Sequence, residues 1–194
     1  MKEKAVGMMI VLTATATLVG GMLAAVYHIA APKIEANRLA EEKRAIFAVL
    51  SEATRYETAE RILQTDKGAE KIRIFKGFDV DEGLVGYAFI AKGPGFQGII
   101  KMMVGLHPDY LRLHGMQVLE QLETPGLGNK IEGDKFRDQF KGIEILPKIE
   151  YIKYRKPEKP NQIQAITGAT ISSKAVVEII NKNARSVIAL LKEE

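Results

Sequence analysis

The chain has 194 residues, 46% of them hydrophobic, with 28 Lys and Arg against 24 Asp and Glu. The opposite charges are interleaved rather than blocked, so no basic face is set out for a nucleic acid. There is no cysteine, which excludes disulfides, thiolate zinc sites and iron–sulfur clusters on this chain and means that any redox chemistry needs an organic cofactor.

From Ala5 to Pro32 there is no Asp, Glu, Lys or Arg. A helix needs about 20 such residues to cross a hydrocarbon core of roughly 30 Å. A cleavable leader is the rival reading, because the IAA at 29–31 resembles a small-residue cleavage site, but leader cores run only about 7–15 residues. The segment predicts a retained membrane helix, with Tyr27 and His28 suited to its interfacial end. One face carries Thr13, Thr17, Gly21 and Ala25, another Ala16, Gly20 and Ala24. Small residues at this spacing let a second helix approach closely in lipid. Lys2 and Lys4 precede the span; Lys33, Arg38, Lys43 and Arg44 follow it. Counted alone, these charges favour a cytoplasmic C-terminal side, but the asymmetry does not settle the topology.

Beyond Pro32, Ala36, Leu39, Ala40, Phe47 and Leu50 recur at helical spacing and predict an amphipathic connector from Ile34 to about Ser51. KIRIF (71–75), GLVGYAFIAKG (83–93), GIIKMMVGL (98–106) and LRLHGMQVLEQ (111–121) read as strands, the second and third joined by the turn GPGFQG. Asp134 is expected to cap a short helix, KFRDQFK. IEYIKY (149–154) is a further strand, and NQIQAI leads on from a polar turn. A closing helix is predicted from Ser172 to about Lys192, with Val176, Ile179, Ile180, Val187 and Leu191 on its apolar face. Strands in the middle and helices at the ends make an α+β domain. The expected organisation is an anchor over 1–32, a connector over 33–51 and a domain over 52–194.

His28, His107 and His114 do not pair with one another at metal-ligand spacing, and no G-x-S-x-G, Walker or G-x-G-x-x-G loop is expected. Hydrolase and metalloenzyme readings have no residues to rest on; no metal site is predicted, and structural roles are expected for His107 and His114. Two loops remain. In ETPGLG (123–128), Pro125-Gly126 is a turn signature, and Leu127 between two glycines suits either an ordinary turn or the gripping of a flat apolar ring, with Glu123 and Thr124 offering polar contacts. In ITGATISSKA (166–175), Ser172 or Ser173 is expected to cap the closing helix. Thr170 would lie one or two residues before its first turn, where orphan N–H groups and the positive helix end favour an anion.

TGATISS together with ETPGLG, in this order along the chain and behind a single N-terminal span, resembles the G subunit of the Rnf electron-transport complex and its relative, the C subunit of the sodium-pumping NADH:quinone reductase. The likeness covers nearly the whole chain, and its length favours the Rnf subunit. It implies a compact α+β FMN-binding domain behind a single transmembrane helix. FMN would be esterified through its phosphate to Thr170 by a separate flavin transferase using FAD, with Thr167, Gly168 and Ala169 shaping the phosphate end. Glu123, Thr124 and Leu127 would contact the ring. The family's transferase pattern has Asp three residues before the first Ser/Thr; this chain has Gln164. The implied role is a redox subunit with no general acid or base of its own. It would relay electrons among the other subunits of a membrane complex that couples ferredoxin:NAD electron transfer to ion translocation. The flavin domain is expected on the non-cytoplasmic side of the cell's inner (plasma) membrane. The alternatives are the quinone-reductase C subunit and a flavin-free anchoring subunit.

Overall fold

A computed structural model describes residues 2–65 and 68–193. The chain divides into two compact units, Met1–Glu41 and Glu42–Glu194. Helix α1, Lys2–Val49, runs through the division and contains Pro32, whose missing N–H removes one backbone hydrogen bond without ending the helix. In the first unit the large apolar residues from Val6 to Ile29 are 55–71% exposed, all round the helix, which makes this a segment for lipid or a partner rather than for water. The hydroxyls of Thr13, Thr15 and Thr17 donate to carbonyls of their own helix at 2.8–2.9 Å, so none is left unpaired in an apolar medium.

The second unit is built on a five-stranded antiparallel meander in chain order. Its strands are β1 Arg55–Thr65, β2 Gly68–Phe78, β3 Leu84–Pro94, β4 Ile99–Leu106 and β5 Leu113–Glu120. Short helix α2, Asp134–Arg137, and the parallel pair β6 Glu150–Ile152 and β7 Gln162–Gln164 follow, and α3, Thr170–Lys192, closes the chain. Alternation along the strands gives the sheet two apolar faces. One carries Phe89, Ala91, Met102 and Val104 and is covered by Val176, Ile180 and Val187 of α3. The other carries Phe75, Ala88 and Met103 and is covered by Ala45, Ile46, Val49 and Leu50. At the edge of this second core the buried Glu42 accepts two hydrogen bonds from Arg73, at 2.7 and 2.8 Å.

Several expectations change. No break separates anchor from connector, and Ala36, Leu39 and Ala40 are exposed; helical spacing marks a face but not where along it burial begins. Strand β1 went unpredicted because RYETAERILQT is an edge strand of mostly charged and polar residues, the composition that protects a free edge. Helix α2 starts at Asp134 itself, with Gly133 at the cap position. GPGFQG spells G-x-G-x-x-G, but it turns between two antiparallel strands and no helix follows it, so it is no dinucleotide loop. His107 lies 3.0 Å from Asp109, and the His114 ring nitrogen is 3.0 Å from the Val85 carbonyl oxygen, which gives both histidines structural partners.

At Gly105 the sheet lies close against the end of α1: a β-carbon there would lie 2.7 Å from the Val49 carbonyl oxygen. Backbone cannot yield as a side-chain tip can, so Gly105→Ala is expected to lower unfolding free energy by about 1–3 kcal/mol, measured by urea titration.

Candidate functional site

Both loops singled out in the sequence are type II turns, and each has glycine where the turn demands positive φ. In the first, Pro125 and Gly126 are the central pair. Gly126 has φ +76°, and the Leu127 N–H donates to the Thr124 carbonyl at 3.1 Å. In the second, Thr167 and Gly168 are central. Gly168 has φ +82°, and the Ala169 N–H donates to the Ile166 carbonyl at 3.0 Å. The two turns meet, since Leu127 Cδ2 stands 3.4 Å from where a β-carbon on Gly168 would be. Leu127 remains 45% exposed.

Helix α3 begins at Thr170 rather than Ser172, with Ala169 as a cap that offers no side-chain hydrogen bond. The two serines are spent elsewhere. The buried Ser173 hydroxyl accepts the Ile166 N–H at 3.0 Å and donates to the Ala169 carbonyl at 2.9 Å, which fastens the TGA turn onto the helix. Ser172 donates to the Glu123 carboxylate. Thr170 is thus the first helical residue. It is half-buried, and its hydroxyl has no hydrogen-bond partner among the described residues. The N–H groups of Thr170, Ile171 and Ser172 likewise meet no acceptor there, the usual state of a helix start that carries a partial positive charge.

A third segment belongs to this place and was missed in the sequence. The β3–β4 turn closes with the Gly95 N–H donating to Gly98 at 2.7 Å. Its Phe96 and Gln97 N–H groups donate to one Glu123 oxygen at 2.8 and 3.1 Å, and the Gln97 side-chain amide donates to the Thr124 hydroxyl at 2.9 Å. Glu123, 4% exposed, is therefore turned inward to protein donors. Its glycine neighbours were the available clue, since Gly95 and Gly128 are both positions where a side chain would collide with the carboxylate side chain. Phe96, Leu127 and Ile171, one from each segment, are exposed. The basic residues Lys153, Arg155, Lys156 and Lys159 lie exposed in the β6–β7 connection.

The fit to a flavin mononucleotide can be judged on this geometry. Three unpaired N–H groups and a free hydroxyl at the start of a long helix suit a phosphate. Exposed Leu127 and Phe96 suit an apolar ring. Asn129, directly after ETPGLG, carries a buried side-chain oxygen with no partner, a polar atom still to be satisfied. The residues present fit the group.

Comparison with known proteins agrees. Residues 95–185, which contain all three segments, match the FMN-binding domain family. In fold, the chain resembles the crystal structure of NqrC from Shewanella oneidensis, with TM-score 0.61 at 23% identity over 74% of this chain and 73% of that one. It also resembles the C subunit of the Na(+)-translocating NADH-quinone reductase of Parabacteroides distasonis, with TM-score 0.52 at 24% identity over 61% of each. The domain is thus of the FMN-binding class. Among curated proteins it is 32% identical to the G subunit of the Na(+)-translocating ferredoxin:NAD(+) oxidoreductase complex of Acetobacterium woodii, over 76% of this chain and 72% of that protein. It is 29% identical to the G subunit of an ion-translocating oxidoreductase complex of Methanosarcina acetivorans, over 92% and 90%. The chain belongs to the family of G subunits of ion-translocating, Rnf-type oxidoreductase complexes.

Ser173→Ala would strip the Ile166 N–H of its acceptor and free the TGA turn. An expected loss of about 1–3 kcal/mol is checked by denaturant titration of the protein without flavin.

Proposed function

We propose that this chain is a membrane-anchored redox subunit that carries FMN esterified to Thr170 and relays electrons within an Rnf-type complex coupling ferredoxin:NAD electron transfer to ion translocation. Residues 1–32 serve as anchor, 33–51 as connector and 52–194 as the flavin-carrying domain on the non-cytoplasmic side. The observation that carries the reading is the free Thr170 hydroxyl at the first position of α3, beside three unpaired N–H groups. When bound, the flavin supplies reversible electron transfer; the chain's own residues hold and orient it.

The attachment balances as a group transfer. The Thr170 oxygen bonds to the FMN phosphorus of FAD, the pyrophosphate bond breaks, and AMP leaves with the electron pair while the hydroxyl proton is lost. A flavin transferase supplies the catalysis. The N–H groups of Thr170, Ile171 and Ser172 would hold the phosphate, with Thr167, Gly168 and Ala169 shaping that end, and Leu127 and Thr124 would place the ring. Gln164 lies on β7, where its N–H donates to the Gln139 side chain at 2.7 Å; the backbone fixed there leads into the acceptor turn.

Peptide mass spectrometry of chain produced with an active transferase is expected to find an FMN-sized addition on Thr170, and Thr170→Ala is expected to remove it. An unmodified Thr170 under those conditions would overturn the reading. Leu127→Ala, which uncovers one side of the ring position, is expected to raise flavin fluorescence while the covalent flavin content stays at the wild-type level.

A further inference from the structure

Glu123 presents a physical problem that the flavin reading leaves open. It is a carboxylate buried to 4% exposure, and no basic side chain pairs with it among the described residues. Burying an ionised carboxylate costs several kcal/mol unless it is paired or fully hydrogen-bonded. Here the compensation comes entirely from neutral donors. One oxygen takes the N–H groups of Phe96 and Gln97, and the other takes the Ser172 hydroxyl. These donors come from two separate segments, and Glu123 itself begins the third. Gly128 also closes on this point: a β-carbon there would lie 2.8 Å from both Glu123 Cβ and Ser172 Oγ.

We infer that Glu123 is a positioning residue that locks the flavin-attachment helix to the ring-holding turn, rather than a residue that touches the flavin. The inference rests on the reading that FMN is attached at Thr170. Around an α-helix, two residues correspond to about 200°. Glu123 therefore grips the first turn of α3 at Ser172 on nearly the opposite side from Thr170. The inner side of the turn is fastened while the acceptor hydroxyl stays free. The same carboxylate anchors the chain immediately before Thr124 and Leu127, and it holds Phe96 beside them. Removing the lock frees the attachment point and the ring position to move independently, although neither Thr170 nor Leu127 is altered.

The test uses the full chain in detergent. In a Thr170→Ala background, which carries no attached flavin, Glu123→Ala is expected to speed amide hydrogen exchange at Phe96 and Gln97 by about tenfold or more, a fold-change equivalent to about 1.4 kcal/mol. Glu123→Gln keeps a side-chain carbonyl for those N–H groups and is expected to restore slow exchange. A Glu123 that serves only as a ring contact would leave exchange unchanged in all three flavin-free chains, and that result overturns the proposal. In flavin-loaded chain, Ser172→Ala is expected to weaken the visible circular dichroism of the flavin, with covalent content close to wild type. An unchanged flavin signal in that variant overturns the proposal even where Glu123→Ala fails to fold. If wild-type chain carries no flavin on Thr170, the functional reading falls, while the exchange measurements still decide whether the lock exists.

Discussion

The three loops meet at one buried carboxylate that has no counter-cation among the described residues. The donors described for Glu123 are two backbone N–H groups and a serine hydroxyl, so its position is set by directional hydrogen bonds rather than by a long-range attraction. Ion pairs tolerate displacement, because Coulomb energy falls slowly with distance. Hydrogen bonds to neutral donors do not, since they weaken steeply as geometry departs from linear. A carboxylate held in this way fixes three loops to one another more sharply than a surface salt bridge would. Outer ion pairs such as Lys71 with Glu60, in which both side chains are well exposed, belong to the class worth little in water.

The sheet makes this convergence possible. A meander in chain order delivers successive turns alternately to its two ends. The β3–β4 turn and the segment leaving β5 after Glu120 fall at the same end, because β4 runs down the sheet and β5 runs back beside it. Helix α3 packs against the face carrying Phe89 and Met102, with Ile179 lying against Gly93 of β3. Its N-terminus is thereby brought to the loops. The helix supplies orphan N–H groups, the glycine turns supply close approach, and the rigid sheet holds them in register.

Local features were legible in the sequence and tertiary ones were not. β3 and β4 stood out as apolar runs, and all five residues expected on the inner face of α3 are buried. The two glycine turns were readable because positive φ has few tenants. The start of α3 was misplaced because the capping rule assigns a serine at a helix start to local N–H groups. Here Ser172 is taken by a residue 49 positions away and Ser173 by the backbone of the turn before it. The part played by the β3–β4 turn was hidden for the same reason: its link to Glu123 spans 27 residues, and no periodicity within a window reports such a contact. Strand β1 was hidden by its charges, which serve its exposed edge rather than the core.

The composition of the three loops bears on why a tether would be useful. No lysine or arginine side chain is hydrogen-bonded to any of them among the described residues, so what the loops themselves offer a phosphate is backbone N–H groups and the partial charge of a helix end. That partial charge contributes about 0.3–1 kcal/mol for an exposed anion, far less than a cluster of guanidinium forks provides. A ring resting on exposed Leu127 and Phe96 adds some apolar burial, but a site this open to solvent would release a freely dissociating mononucleotide readily. An ester to Thr170 removes the dissociation step and, by replacing one ionisable phosphate oxygen, leaves a single negative charge for the helix end to balance. The open loops and the lack of cations bound to them would then be two aspects of the arrangement proposed above: retention by a covalent bond, with the protein contacts left to orient the ring and keep its edge accessible for electron transfer.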